Sequence, residues 1–292
     1  MIGSALVAEA TARGHEVVRL VRSPGAVGVG VVYWDPARGI LDKELLRGID
    51  AVVNLAGENI AGRWTAAKKE RILASRVRGT SLLAEALAGL AEPPKVFVSA
   101  SAIGYYGDRG DEELTEASGP GTGFEPLVCC DWEAAAGAAV RRGIRTVFPR
   151  LGIVLSAAGG ALAKMLPVFR LGLGGVVGGG RQYWSWVAIG DAVAAIFHLI
   201  ETESLSGPVN VVSQEPVTNR EFTMALGEVL GRPTVFPLPA WGVKLLFGQM
   251  GREVLLASAR VRPVRLLETA FQFQRPHLVG ALAHVLGAGK LL

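Results

Sequence analysis

The chain has 292 residues, 50% of them apolar and 19% charged, with 38 glycines and 15 prolines, which is material for one large α/β domain or two smaller ones. Glycine is nearly twice its usual share of about 7%, but there is no Gly-X-Y period and no Ser/Gln-rich tract, so collagen and disorder are both poor readings. The formal net charge is +4 with no basic block longer than Lys68-Lys69, which argues against nucleic acid as a partner and suits a small anionic ligand.

The mean hydropathy of +0.36 is high. Glycine, Lys164, Arg170 or Asp191 nevertheless interrupts each apolar run before the ~18 residues a membrane helix needs, so no membrane partner is expected. Met1-Ile2-Gly3-Ser4 opens without a basic segment and a long apolar one, which points to the cytoplasm. Cys129 and Cys130 are neighbours that cannot staple a loop, and His15, His198, His277 and His284 are scattered, so no metal site is expected.

In chain order, residues 4–13 read as a helix ending at Gly14, and residues 16–21 as a β-branched strand closed by Ser23-Pro24-Gly25. Apolar runs at 29–34 and 51–55 read as strands, with a short helix at 42–46 between them. From Thr65, a candidate N-cap, Leu73, Val77, Ala84 and Leu87 recur at helical spacing up to Leu90, and Pro93-Pro94 precede a strand at 96–98. A glycine-containing loop at 107–123, a helix at 126–142 and a strand at 145–148 complete the first half. Strands alternating with helices imply a doubly wound parallel sheet. Beyond Gly152 glycines crowd; a helix at 191–200, a strand at 209–212 and a Pro-punctuated helical tail from Glu221 follow. The expected division is a nucleotide-binding domain at 1–151 and an interleaved, smaller substrate lobe at 152–292 without a core of its own.

Ligands of open α/β sheets bind at the carboxyl ends of the strands. Asn54-Leu55-Ala56-Gly57 and Ser99-Ala100-Ser101 through Gly107 both follow predicted strands. The first is either a turn closed by Gly57 or a cofactor edge; the second brings hydroxyls and phenols to the same side.

These segments resemble the epimerase-like branch of the extended, or atypical, short-chain dehydrogenases/reductases, a branch labelled as sugar-nucleotide epimerases. The likeness continues through Gly79-Thr80-Ser81-Leu82-Leu83, Pro149-Arg150-Leu151-Gly152-Ile153-Val154-Leu155, Pro167 to Gly175, Arg262 to Leu267 and Phe271-Gln272-Phe273, so it spans nearly the whole chain. It implies a Rossmann-type fold with Asn54, Leu55, Ala56 and Gly57 on the adenine and ribose side of NAD(P). It also implies Ser101 as the active-site serine, with Ser99 as the alternative and as a cofactor neighbour. Tyr106 is expected to line the substrate cleft, and Arg150 with Gly152 to flank the nicotinamide, unless Arg150 is a structural ion-pair partner. NADP is expected over NAD, because Arg22 ends the second Rossmann strand and no carboxylate stands there; the alternative is a solvated arginine in a turn.

Two departures from the family pattern stand out. Redox members use Tyr-x-x-x-Lys, whose lysine lowers the tyrosine pKa; here Leu127 and Asp131 occupy those positions. Asp131 or Glu133 could serve as acid or base, but a carboxylate on an amphipathic helix is more often solvated. Trp184-Ser185-Trp186 resembles the family's closing segment and is equally readable as core. In addition, Met1-Ile2-Gly3 matches only the end of the Gly-x-x-Gly-x-x-Gly fingerprint, with Gly3 as its third glycine. The first strand is therefore expected to be missing, the fold unstable and dinucleotide binding weak. The resulting reading is an NAD(P)-dependent oxidoreductase or epimerase-like protein acting on a hydroxylated or nucleotide-sugar molecule, with a homodimer left open. The alternative is an NADP-binding regulator or redox sensor without turnover.

Overall fold

The computed structural model describes residues 1–23, 25 and 28–287; the expected turn at Ser23-Pro24-Gly25 lies partly outside them. The elements of the first half are α1 (Ile2–Ala12), β1 (Arg19–Val21), β2 (Val31–Asp35), β3 (Ile40–Leu41), β4 (Ala51–Asn54), α2 (Ala66–Ala88), β5 (Val96–Ser99), β6 (Ser101–Ala102), β7 (Glu113–Leu114), α3 (Phe124–Ala134), α4 (Gly137–Arg141) and β8 (Arg145–Leu151). The second half adds β9 (Ile153–Leu155), α5 (Gly160–Arg170), β10 (Tyr183–Trp184), β11 (Trp186–Ala188), α6 (Ile189–Glu201), β12 (Gly207–Val211), β13 (Val217–Thr218) and α7 (Asn219–Leu230). It ends with α8 (Ala240–Phe247), β14 (Arg260–Val261), α9 (Val264–Glu268) and α10 (Leu278–Val285).

Local chemistry accounts for several boundaries. Thr65 Oγ1 accepts the Lys68 amide at 3.2 Å and starts α2, while Thr218 and Glu221 close a reciprocal capping box on α7, each satisfying amides that a helix start leaves free. The main sheet is parallel in the order β12-β8-β5-β4, with β6 also on β8. Helices cover both of its faces: Val96, Val98 and Val147 pack in one cluster with Ala192, Ala195 and Leu199 of α6, and Phe97 in another with Leu83 and Leu87 of α2 and Ala139 of α4. β1 and β2 pair in parallel in a separate sheet, and among the described residues no ladder joins β1 to β4. Ile2 of α1 packs beside the cluster that contains Val96, Val98 and Val147.

The structure corrects four expectations. The helix expected at 126–142 is two, because Ala135 and Ala136 turn ψ to −20° and 4° and open the ladder between α3 and α4. The loop at 107–123 contains β7, which pairs in parallel with β14 far along the chain. The glycine-crowded stretch holds α5, with Pro167 inside it. Finally, residues beyond 152 do have a core: Leu155, Leu162, Phe169, Trp186, Phe222, Leu226 and Leu282 bury one another. Trp184 and Trp186 both belong to it, which decides for core over ligand stacking. No described helix is long and apolar enough to cross a membrane, and no group of three or more metal-ligating side chains occurs among the described residues.

Candidate active site

At the carboxyl edge of the sheet, β4 ends in Asn54 directly beside Ser99 of β5. The buried Asn54 amide donates to Thr80 Oγ1 at 2.9 Å and its carbonyl accepts the Ala56 amide at 3.2 Å. Trp132 Nε1 also donates to Thr80 Oγ1, at 3.0 Å. Asn54 thus ties strand, following turn and α2 together, so the turn and the edge are one feature. Leu55 and Ala56 remain half-buried and Gly57 exposed. A Cβ on Gly57 would lie 3.2 Å from the Arg76 guanidinium carbon, which passes close by to donate to the Glu58 and Ile72 carbonyls.

The start of α1 meets the same edge, since a Cβ on Gly3 would lie 3.9 Å from the Leu55 side chain. Its N-cap, Met1, makes no side-chain cap hydrogen bond, and amides of a helix's first turn are the kind of group that takes an anion. Arg22 is exposed. Glu58 is held below the usual carboxylate range, first by hydrogen bonding to Lys68 and its charge, and to a smaller extent by Arg71 and Arg22. Ser99 is fully buried, and its hydroxyl has no hydrogen-bond partner among the described residues.

Deeper in, one charged network organises the expected catalytic residues. Ser101 Oγ donates to Glu133 Oε1 at 2.7 Å. Arg150 grips the same carboxylate with Nε at 2.9 Å and Nη2 at 3.0 Å, while its Nη1 donates to the Tyr106 oxygen at 3.1 Å. The guanidinium lies 3.4 Å from the centre of the Tyr105 ring. Tyr106 in turn donates to Asn210 Oδ1 at 2.7 Å, and Asn210 Nδ2 donates to the Arg262 carbonyl at 2.9 Å. Glu116 Oε1 accepts the amides of Asn210 and Arg265. The network thus connects the sheet edge to the C-terminal segment.

This geometry revises three readings. Glu133 is not a solvated surface carboxylate: its side chain is 14% exposed and that of Arg150 3%. Arg150 is the ion-pair partner that the sequence left open, with its donors engaged inside the protein. Tyr106 has no accessible surface, so it cannot form a cleft wall; the half-buried neighbouring ring is Tyr105. Burial pushes the Tyr106 phenol above its ordinary value, with Arg150 and Asn210 only partly opposing this, so Tyr106 stays protonated near neutral pH. For Arg150, burial opposes the charge, but the hydrogen bonds it donates to Glu133 and Tyr106, together with the Glu133 charge, outweigh it and keep the guanidinium charged.

Leu127 and Asp131 are both exposed and lie one turn apart on α3. Burial raises the thiols of Cys129 and Cys130, aided by Glu125 and Glu133 for the first and by Glu133 for the second; neither is poised as a thiolate nucleophile. Glu253 caps α3 from afar, accepting the Phe124 amide at 2.8 Å and the Glu125 amide at 3.2 Å. A Cβ on Gly152 would lie 2.6 Å from the Ser185 carbonyl oxygen, so this glycine is required by backbone packing. Asp191 is buried and accepts the amides of Gln274 and Arg275. Sequence reasoning missed Asn210, Glu116 and Glu253 and set Glu133 aside; a polar Asn210 within an apolar strand was the one available signal.

The sequence matches the NAD dependent epimerase/dehydratase family over residues 1–212 and a domain of unknown function over 238–285. It is 42% identical over 287 residues to epimerase family protein Mb2239 of Mycobacterium bovis, covering 97% of this chain and 94% of that one. It is 38% identical over 289 residues to human epimerase family protein SDR39U1, covering 97% and 96%. The crystal structure of the human protein with NADPH superposes with a TM-score of 0.88 at 37% identity, covering 100% of this chain and 97% of that one. Thermus thermophilus UDP-glucose 4-epimerase with NAD shares the fold, with a TM-score of 0.74 at 20% identity and coverage of 99% and 96%. Parallel sheet, glycine-edged loops and near full-length similarity lead to one assignment: this chain belongs to the NAD dependent epimerase/dehydratase family.

Proposed function

We propose that the protein binds NADP(H) at the carboxyl edge of the sheet and uses it in an oxidoreductase or epimerase-like reaction on a hydroxylated small molecule. The observation that carries this reading is the meeting of the α1 start with the Leu55–Gly57 loop at the carboxyl edge of the sheet, with the Ser101–Glu133–Arg150 network behind it. The residues fit the group. Gly3 and its neighbours offer amides to a pyrophosphate, Arg22 offers a guanidinium to a 2′-phosphate, and similarity to an NADPH-bound structure supports the choice of dinucleotide.

When bound, the dinucleotide supplies or accepts hydride. The chain's own contribution follows from the direction of the hydrogen bonds. Ser101 gives its single proton to Glu133, so the rest of its oxygen only accepts, which suits a donor such as a substrate hydroxyl. Tyr106 and Arg150 are positioning residues that fix Glu133 for this purpose. We place the activity in the cytoplasm, with a monomer or homodimer as the working form.

A second reading, binding without turnover, is favoured by one observation: Leu127 and Asp131 stand on the exposed face of α3 where redox relatives carry their tyrosine and lysine. The deciding experiment titrates NADPH and NADH into the protein and into Arg22→Ala while unfolding is followed, then analyses products with NADPH and a carbonyl library. Loss of one charge-assisted contact weakens NADPH by about tenfold or more and leaves NADH nearly unchanged. Equal weakening of both cofactors would refute a contact between Arg22 and the 2′-phosphate. Tight binding with no product across the library would favour the second reading.

A further inference from the structure

Charge is distributed unevenly along the chain. Between Glu133 and Asp191 there is no acidic residue but seven Lys or Arg, and between Glu228 and Glu253 there is again no acidic residue but three Lys or Arg. Parts of these two stretches lie side by side. The Phe236 amide donates to the Gly174 carbonyl, the Leu238 amide to Val176 and the Gly178 amide to Leu238, with bridges Gly175 to Val235 and Val177 to Leu238. α8 begins directly after this pairing.

The juxtaposed segments expose large apolar side chains where a soluble surface usually scatters them singly. Leu171 is 74% exposed, Leu173 51%, Val235 68%, Phe236 56%, Trp241 71% and Leu245 66%. Trp241 and Leu245 are one turn apart on α8. Arg170, Arg232 and Lys244, on the same stretches of chain, are exposed as well.

We propose that this face docks on the surface of an anionic lipid bilayer. Three observations favour this occupant. A two-fold contact with a second copy would bring the same basic residues, Arg170, Arg232 and Lys244, into the interface from both sides, and like charge concentrated there opposes association. A strand added by a protein partner would find Pro233, Pro237 and Pro239 along the 233–239 segment, which lack amide donors. A bilayer needs neither self-complementarity nor a hydrogen-bonding edge. It accepts Trp, Phe and Leu at the headgroup boundary while its negative charge attracts the basic residues. The expectation of no membrane partner rested on the lack of a spanning run and does not bear on a surface contact. The proposal is independent of the cofactor reading.

The test is co-sedimentation of the full chain with vesicles of phosphatidylcholine alone or mixed with phosphatidylglycerol, in low and high salt. The protein should pellet with the phosphatidylglycerol vesicles in low salt and stay in solution with phosphatidylcholine alone. Trp241→Ser with Leu245→Ser should weaken this binding by about tenfold or more, and Arg232→Glu with Lys244→Glu by about fivefold or more for each charge. All four side chains are exposed, so matching unfolding midpoints will show that both variants fold; if one does not, the other decides. Failure to pellet with phosphatidylglycerol vesicles overturns the proposal, as does binding unchanged in a folded variant. Self-association of the wild type that Trp241→Ser with Leu245→Ser abolishes, without vesicle binding, also overturns it and assigns the face to a second copy.

Discussion

Removing the Glu133 carboxylate tests the central network most directly. In Glu133→Ala, Arg150 keeps its charge with a side chain only 3% exposed and loses the acceptors of its Nε and Nη2 bonds. Ser101 loses its acceptor as well. Each charge-assisted bond is worth about 1.5–3 kcal/mol, but the three share one carboxylate, so their sum overcounts. Breaking a buried ion pair from one side costs about 3–5 kcal/mol, mostly from the charge left behind. At about 2–4 °C per kcal/mol, the unfolding midpoint should fall by about 6–20 °C. A double-mutant cycle separates the pair from its surroundings: Glu133→Leu with Arg150→Met should cost less than Glu133→Leu alone, because no buried charge is then left unpaired. Urea unfolding of wild type, both single variants and the double variant gives the coupling. Additive costs, or a loss below about 1 kcal/mol for Glu133→Ala, would refute the claim that this ion pair holds the site together.

Glu125 should make stability depend on pH. Its carboxyl is pushed up from 4.5 to about 7, first by burial and then by Glu253. The native state therefore holds the proton more tightly than the unfolded chain, so the stabilisation is complete below about pH 4.5, fades as pH rises and is lost above about pH 7, up to about 3 kcal/mol in all. Denaturant titrations across this range should show Glu125→Gln losing the dependence, and parallel curves for the two proteins would contradict it. Gly152→Ala should cost about 1–3 kcal/mol by overpacking, because the new methyl would stand 2.6 Å from the Ser185 carbonyl oxygen, which is itself bonded to the Ile153 amide. An unchanged urea midpoint would show that the backbone there yields freely.

The sequence by itself determined the features set by near neighbours. The alternation of strands and helices, the Thr65 cap, the two strands that lead to the Asn54–Gly57 and Ser99–Gly107 segments and the lack of a Tyr-x-x-x-Lys pair were all readable, because periodicity, capping and β-branching act over a few residues. Even locally, two features escaped it: α5, which lies among glycines and carries Pro167, and the break at Ala135-Ala136, where a small change in ψ ends a helix that alanine favours. Only the tertiary structure decided which polar residues form the site. Ser101 meets Glu133 from 32 residues away and Tyr106 meets Asn210 from 104. Glu133 looked solvated because its helix is amphipathic, and no local rule shows that Arg150, brought by β8, lies against it. Trp184 and Trp186 likewise became core only when α5, α7 and α10 closed over them. Charge pairing and burial depend on which segments the fold brings together, and at separations of tens of residues the local pattern carries no record of that.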